Sequence, residues 1–186
     1  AVRRAVPVMD WHAPPGMRPA LAARHCGKGL RWQWDGVQFE YLHPHAGFPY
    51  LGNESSCVLR IGSVHDAVLL VGDIGEVIEN ALVRRQRPSL RAEVVVAPHH
   101  GSAGSSLPGF VSATQARLVL VSAGHGNRFG HPRPEVVERW RGAGAEVLAT
   151  PASGAVRVWL GAQGLQLRER RQWRRRLGGA AGRARA

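Results

Sequence analysis

Three apolar runs in this sequence each lead into a side chain that can bind a metal ion. The runs and the side chains that follow them are 68–71 with Asp73, 93–97 with His99 and His100, and 118–121 with His131. Continuous apolar runs of this length are typical of strands buried on both faces of a parallel sheet. Such strands deliver their following loops to one edge of the sheet, so the pattern predicts one site built from distant parts of the chain. Imidazole and carboxylate together indicate a metal-dependent hydrolase.

The segments between these runs include helical spacing, and the alternation predicts a layered α/β domain. Strands are expected at 32–43 (bent at an Asp-Gly turn), 57–62, 67–71, 93–97, 118–121, 146–149 and 155–160, and helices after Asp73, at 110–113 and from Pro134. Pattern alone leaves an αβ/βα sandwich and a doubly wound sheet both open. The expected organisation is an irregular segment over residues 1–30, one domain over 31–162 and an Arg-rich tail over 163–186.

Length and apolar content limit the class of protein. The 186 residues suit one domain with its own core. The longest apolar stretches are strand-sized, far shorter than the roughly 20 residues that span a bilayer. The sequence begins at Ala1, its first methionine is Met9, and no signal-peptide pattern opens it. We therefore expect a soluble piece of a longer reading frame.

The net charge of +12 predicts a polyanionic partner, either nucleic acid or anionic lipid. Much of this charge lies near the end of the chain, in Arg168, Arg170, Arg171, Arg174, Arg175, Arg176, Arg183 and Arg185. Trp173 among these arginines suits base stacking or a membrane interface. A solvated tail without a partner is the alternative. Cys26 and Cys57 are the two cysteines, and both are expected to be unpaired apolar residues.

Several short elements, in a fixed order, resemble one protein family. They are Gly72-Asp73-Ile74, Pro98-His99-His100-Gly101-Ser102, Ser122-Ala123-Gly124 and Asn127-Arg128-Phe129-Gly130-His131-Pro132. Over residues 32–160 the chain resembles the metallo-β-lactamase-like domain of the ComEC DNA-uptake proteins. The resemblance implies the distal half of an αβ/βα sandwich. It also implies a membrane channel upstream in the same polypeptide, in the bacterial inner membrane, that takes up single-stranded DNA. The soluble domain would then be a nuclease that cleaves incoming DNA, and the side of the membrane that it faces stays open.

Asp73 has the central role in the expected chemistry. In the resembling proteins an aspartate at this position bridges two divalent ions, here Mn or Zn, and the alternative is an N-cap of the following helix. His99 and His100 are expected in extended backbone, where one would face the metal and the other a hydrogen-bond partner or the substrate. His131, between a glycine and a proline, would stabilise charge on the phosphate.

Four further residues are expected near the substrate. The Ser102 hydroxyl lies in a Ser/Gly loop suited to phosphate contacts, and Asn127 and Arg128 could contact a phosphodiester. Plain exposure to solvent is the alternative for all three. Asn53 opens Asn53-Glu54-Ser55-Ser56, where the family has Asn-Asn-x-Ser, so it is expected close to the site, whereas Glu54 departs from the family pattern.

The largest departure from the family is the absence of the His-rich HxHxDH loop that opens its domain. Asp73, one of the adjacent histidines and His131 are too few ligands for a dinuclear centre. Either the protein extends upstream or the copy is degraded, and the start at Ala1 favours the first. Two other functions stay open: an inactive segment that only binds DNA, and another hydrolase of the same superfamily that acts on a small ester or thioester.

Overall fold

The computed structural model of the protein describes residues 7–17 and 23–170. The strands are β1 (His12–Ala13), β2 (Arg24–His25), β3 (Arg31–Trp34), β4 (Val37–His43), β5 (Val58–Gly62), β6 (Ala67–Leu70), β7 (Val94–Val96), β8 (Leu118–Val121), β9 (Glu146–Ala149), β10 (Val156–Trp159) and β11 (Gln166–Glu169). The helices are α1 (Glu76–Gln86), α2 (Pro108–Thr114), α3 (Pro134–Gly142) and α4 (Thr150–Ser153). Short 3-10 turns lie at Gly52–Ser55, Arg87–Leu90 and Pro98–Gly101.

Strands β3 to β9 form one seven-stranded sheet in which the spatial order follows the chain order. Neighbours from β3 to β6 are antiparallel, and neighbours from β6 to β9 are parallel. Helices α1, α2 and α3 lie in the crossovers between the parallel strands, as parallel pairing requires. The predicted α/β class is confirmed, and so is the hairpin turn at Asp35-Gly36, where both residues have positive φ.

The core lies between one face of the sheet and the three crossover helices. Leu69, Val95 and Val119 are adjacent on this face and fully buried. They pack in one cluster with residues from the helices, which include Ile78, Leu82, Phe110 and Trp140. The opposite face of the sheet is also apolar; Val94 and Leu118 on it are buried, but its row at the carboxyl end is only half-buried. Its row at the carboxyl end of the parallel strands is Leu70, Val96, Leu120 and Leu148.

Helix α1 begins later than the sequence pattern predicts. Its N-cap is Gly75, and Asp73 lies two residues before that cap. The alternative interpretation of Asp73 as the N-cap is therefore wrong, and its carboxylate is available to the loop. Helices α2 and α3 each begin with a proline, where the missing N–H costs no helical hydrogen bond.

Cys26 and Cys57 form a disulfide, so the prediction that both are unpaired is wrong. The bond joins the segment after β2 to the residue before β5, at a Cα–Cα distance of 5.9 Å. Sequence spacing carried no signal for it because the cysteines are 31 residues apart. They meet where the segment of Cys26 hydrogen-bonds to β4, through the Gly29 N–H and the Tyr41 carbonyl, and β4 pairs with β5. A disulfide constrains the unfolded chain and stabilises the fold of this part of the sheet.

The segments at the two ends contain more structure than their composition indicates. Strands β1 and β2 pair within the segment expected to be irregular. Strand β10 does not pair with β9 but with β11, which lies in the segment expected to be the Arg-rich tail. Short strands rich in Arg and Gln lack the β-branched residues by which strands are recognised in sequence. Trp173 and the arginines from Arg171 onward lie outside the described residues.

Candidate functional site

The predicted site residues meet at the carboxyl edge of the parallel strands. Asp73 lies three residues after the end of β6, and His99 and His100 lie in the 3-10 turn that follows β7. His131 lies in the loop between β8 and α3. Because β6, β7 and β8 are adjacent and parallel, these three loops emerge side by side.

His99 and His100 both have left-handed backbone, with φ of 46° and 56°. The expectation of extended backbone is wrong here. The His99 N–H donates to the carbonyl of Gly72 at 3.0 Å, which joins the turn to the loop that carries Asp73. Left-handed backbone at a residue with a Cβ costs on the order of 1–3 kcal/mol and is concentrated at functional sites.

The ring of His100 lies between a carboxylate and a backbone carbonyl. Its Nε2 is 3.4 Å from Oδ1 of Asp73, and its Nδ1 is 2.7 Å from the carbonyl oxygen of Ser122. A carbonyl only accepts hydrogen bonds, so Nδ1 carries the hydrogen and the lone pair of the neutral ring is on Nε2. Metal-binding histidines are oriented in the same way: the ring nitrogen that does not bind the metal donates its hydrogen to a carbonyl or carboxylate.

The second histidine of the pair faces a different set of partners. The amide Nδ2 of Asn53 is 3.4 Å from Nε2 of His99, and the ring centroids of His99 and His131 are 6.1 Å apart. The structure thus brings Asn53 into the predicted site from the turn before β5. His99 is directed toward Asn53 and His131, and His100 toward Asp73.

The turn that contains Asn53 also supports the loop of Asp73. The Asp73 N–H donates to Oγ of Ser56 at 3.1 Å, and the Gly75 N–H donates to Oε2 of Glu54 at 3.4 Å. Gly72 has a φ of +60°, and a Cβ there would come within 2.7 Å of the Ser56 Cβ. Sequence analysis assigned no role to Ser56 or Glu54, although the spacing Asn-Glu-Ser-Ser was the signal available for both.

Asn127 holds the loop of His131 in place. Its Oδ1 accepts a hydrogen bond from the His131 N–H at 3.0 Å, and its Nδ2 donates to the His131 carbonyl at 2.7 Å and to the Gly124 carbonyl at 3.0 Å. The amide is therefore engaged with backbone. Arg128 beside it is exposed, with its guanidinium 4.8 Å from the centre of the Phe129 ring.

The environment of His131 favours the neutral ring. Desolvation is the main cause that lowers its pKa, and the charges of His99, Arg133 and His100 lower it further. Asp73 acts in the opposite direction but is the smallest contribution. A neutral imidazole offers one N–H donor and one acceptor at neutral pH.

Ser102 lies inside its loop rather than on the surface. Its Oγ donates to Oγ of Ser105 at 3.4 Å, and Ser105 donates to the Pro98 carbonyl at 3.0 Å. Glu79 of α1 fixes the end of this loop. Its carboxylate accepts hydrogen bonds from the N–H groups of Ser106 and Leu107, at 2.6 and 2.7 Å.

Glu79 is a functional candidate that sequence analysis missed. It is fully buried, and burial raises the pKa of its carboxyl to about 7, although the two backbone hydrogen bonds oppose this shift. Its position next to Ile78 and three residues before Leu82, on the apolar side of α1, was the available signal. A buried carboxyl at this position fixes the loop that follows the two histidines.

The arrangement fits a metal only in part. Within residues 7–17 and 23–170, no three His, Cys, Asp or Glu side chains converge so as to hold one ion. Asp73 and His100 supply one oxygen and one nitrogen at the same point, which is the donor chemistry that Zn²⁺ and Mn²⁺ accept. They would be two members of a larger ligand set.

Comparison with known proteins places the chain among competence proteins. No family model matches it. The chain is 38% identical over 152 residues to "Competence protein ComA" of Neisseria gonorrhoeae, which covers 82% of this chain and 22% of that protein. It is 32% identical over 136 residues to "ComE operon protein 3" of Bacillus subtilis, covering 73% of this chain and 17% of that protein. It is 31% identical over 133 residues to "Recombination protein 2" of Haemophilus influenzae, covering 72% of this chain and 16% of that protein.

The fold and the site together define an α/β protein whose candidate site lies at the carboxyl edge of parallel strands. The chain belongs to the ComEC-type competence proteins, as a region of them, and the resemblance seen in its sequence is confirmed. It spans 16% to 22% of the length of these three relatives. In the part of the chain that the structure describes, no helix is both long and apolar enough to cross a membrane.

Proposed function

We propose that this chain is the distal half of a metal-dependent nuclease domain in a DNA-uptake protein of the bacterial inner membrane. The names of the relatives support the uptake role, since two of them are a competence protein and a com operon product. The observation that carries the nuclease assignment is the ring of His100, held by the Ser122 carbonyl with its Nε2 toward Asp73. The substrate would be incoming DNA, in its single-stranded form, and the reaction phosphodiester hydrolysis.

A half-exposed apolar row on one face of the sheet supports the assignment to half of an αβ/βα sandwich. Leu70, Val96, Leu120 and Leu148 form a continuous apolar row there, and they are only half-buried. A contiguous apolar face of this kind marks a surface that packs against another layer. We assign that layer to a second sheet, in a part of the protein outside this sequence.

The proposed metal is Mn²⁺ or Zn²⁺, in a dinuclear centre. Asp73 and His100 would be ligands from this chain, and further ligands would come from outside this sequence. When bound, such an ion supplies a water that is nucleophilic at neutral pH and neutralises charge on the phosphate. His99, expected as a ligand, instead faces Asn53 and His131 and would contact the substrate.

The chain's own residues would position and stabilise the phosphodiester. His131 has a lowered pKa and would donate from its neutral ring to a phosphate oxygen. Asn127 would act by holding the backbone of His131, and exposed Arg128 by contacting the phosphate. Ser102 would contribute through the backbone of its loop, because its hydroxyl is engaged with Ser105.

The test is Mn²⁺- or Zn²⁺-dependent cleavage of single-stranded DNA by the complete soluble domain. Asp73→Ala should abolish cleavage, and it should also weaken metal binding measured by competition with a chromophoric chelator. Asp10→Ala is the matched control, because that exposed carboxylate forms an ion pair with exposed Arg24. Full activity of the Asp73→Ala variant would contradict the assigned role.

A second candidate function is DNA binding without catalysis. The observation that favours it is the lack of three converging metal ligands among the described residues. Binding driven by phosphate contacts should weaken steeply with salt, and deleting the residues after Arg170 should remove most of it. The cut is placed there because an earlier one would remove part of β11. A domain that binds DNA but never cleaves it with either metal would favour this alternative.

A further inference from the structure

The β10–β11 hairpin presents a basic and aromatic face that the proposed active site does not use. Val156, Val158 and Leu167 alternate with exposed residues and are themselves half-buried. The exposed side chains on the other face are Arg157, Trp159, Gln166 and Arg168. Arg170 follows β11 and is also exposed. This alternation separates an inner aliphatic face from an outer face with concentrated positive charge.

Two arginines of this hairpin lie directly opposite each other. Arg157 pairs with Arg168 in the antiparallel register. Like charges in opposite positions of two paired strands destabilise the pairing, so this arrangement has no structural benefit of its own. Both arginines, with Arg170, line a groove of about 480 Å³, and none of the described residues that line it is acidic. An anion in this groove would remove the repulsion.

Trp159 supplies a surface on which a planar group can stack. Its side chain is 44% exposed, and the guanidinium of Arg157 lies 5.7 Å from its ring centre. Exposed tryptophan beside arginine is the arrangement on which unpaired bases stack while their phosphates pair with guanidinium groups. A membrane anchor would need more apolar side chains on the same face, but the aliphatic residues of this hairpin lie on the inner face.

The arginine end of the hairpin is joined to the edge of the sheet that holds the candidate site. Oγ1 of Thr150 in α4 accepts from the Ala123 N–H and donates to the Ala123 carbonyl, at 2.9 and 2.8 Å. Ala123 follows Ser122, whose carbonyl orients His100. At the opposite end of the hairpin, the Gly161 N–H donates to Asp66, the residue before β6. The hairpin therefore runs along the sheet away from the site.

We propose that the groove lined by Arg157, Arg168 and Arg170, together with Trp159 beside Arg157, binds single-stranded nucleic acid. Phosphates would lie on the arginines and a base on the tryptophan. The inference rests on the proposed function only in taking DNA as the substrate. A strand that leaves the candidate site would meet the arginines first and Trp159 next. The groove would thus hold a segment of the substrate outside the reacting phosphodiester.

The experiment measures binding of a fluorescein-labelled oligothymidylate of about 20 nucleotides to the complete soluble domain, in EDTA and over a series of salt concentrations. Arg157→Gln with Arg168→Gln should weaken binding about tenfold or more. It should also lower the slope of log affinity against log salt by about 1.4, the value for two lost phosphate contacts on a single strand. Arg84→Gln with Arg91→Gln removes the same charge from exposed positions elsewhere and should change binding far less.

Trp159→Ala should weaken binding about fivefold or more through lost stacking. Trp34→Ala is its control, because Trp34 is 69% exposed on a different hairpin. The proposal would be overturned if each test variant weakened binding no more than its control variant does. It would also be overturned if Trp159→Ala bound the oligonucleotide as tightly as the wild type. Arginine variants that lose binding to phosphatidylglycerol vesicles but keep binding to the oligonucleotide would overturn it as well. Because the assay contains no metal, failure of the nuclease proposal leaves its outcome unchanged.

Discussion

His100 directs Nε2 at the carboxylate of Asp73, 3.4 Å away, across the gap between the loops that follow two adjacent parallel strands. The two residues are 27 positions apart in the sequence, as their numbers show. Their meeting depends on the parallel pairing of β6 with β7 and on the left-handed turn at His99 and His100. The nitrogen and oxygen donors that result are the pair on which the proposed metal site rests.

Replacing His100 by Ala should therefore weaken metal binding by the complete domain. We expect the affinity for Mn²⁺ or Zn²⁺ to fall at least about tenfold, as it does when groups that hold a metal site are lost. Competition with a chromophoric chelator measures this without reference to activity. His125→Ala is the control, because His125 is an exposed loop histidine after the neighbouring strand β8. Equal affinities of the His100 variant and the wild type would remove His100 from the ligand set.

Periodicity predicted the sheet because its buried strands are continuous apolar runs. The strands at 94–96 and 118–121 could be read from the sequence, and so could the edge at which Asp73, the two histidines and His131 meet. The backbone of His99 could not be predicted, because left-handed φ at a histidine depends on tertiary contacts such as the hydrogen bond to Gly72. The same holds for the Cys26–Cys57 bond, which depends on strand pairing.

Gly72→Ala should destabilise the protein, because the position requires both positive φ and the absence of a Cβ. A Cβ at Gly72 would come within 2.7 Å of the Ser56 Cβ, and φ is +60°. We expect a loss of about 1–2 kcal/mol or more in the free energy of unfolding, measured by urea denaturation. Gly142→Ala, where no atom lies within 4 Å of the new Cβ at the end of α3, should instead stabilise by up to about 1 kcal/mol. The same sign for both substitutions would contradict this account.

Glu79 should make stability depend on pH. Burial raises its folded-state pKa from 4.5 to about 7, with Glu76 adding to the rise and Arg139 opposing it. The folded state therefore binds the proton more tightly than the unfolded state does. The stabilisation is fully present below about pH 4.5 and is lost as the pH rises through about 7, by an amount on the order of 3 kcal/mol.

Glu79→Gln isolates this contribution because an amide does not ionise. The variant has one side-chain oxygen where the carboxyl accepts two backbone N–H groups, so at pH 4 it should be less stable by about 1–3 kcal/mol. By pH 8 the difference should shrink or reverse, since only the wild type has a buried charge there. Urea unfolding at each pH measures it, with exposed Glu135→Gln as the control. A difference that is constant with pH would exclude Glu79 as the titrating group.

The Cys26–Cys57 disulfide should stabilise the sheet and the turn that supports Asp73. It closes a loop with a sequence separation of 31, for which the chain-entropy treatment gives about 3–4 kcal/mol. Dithiothreitol, or Cys26→Ser with Cys57→Ser, should lower the free energy of unfolding by about that amount.

Cys57 follows Ser56, the acceptor of the Asp73 N–H, so reduction should also speed amide hydrogen exchange at Asp73. Exchange at Val95, which is fully buried in the sheet, is the reference. Equal acceleration at both amides would mean that the bond stabilises the fold as a whole, without a local effect on the site.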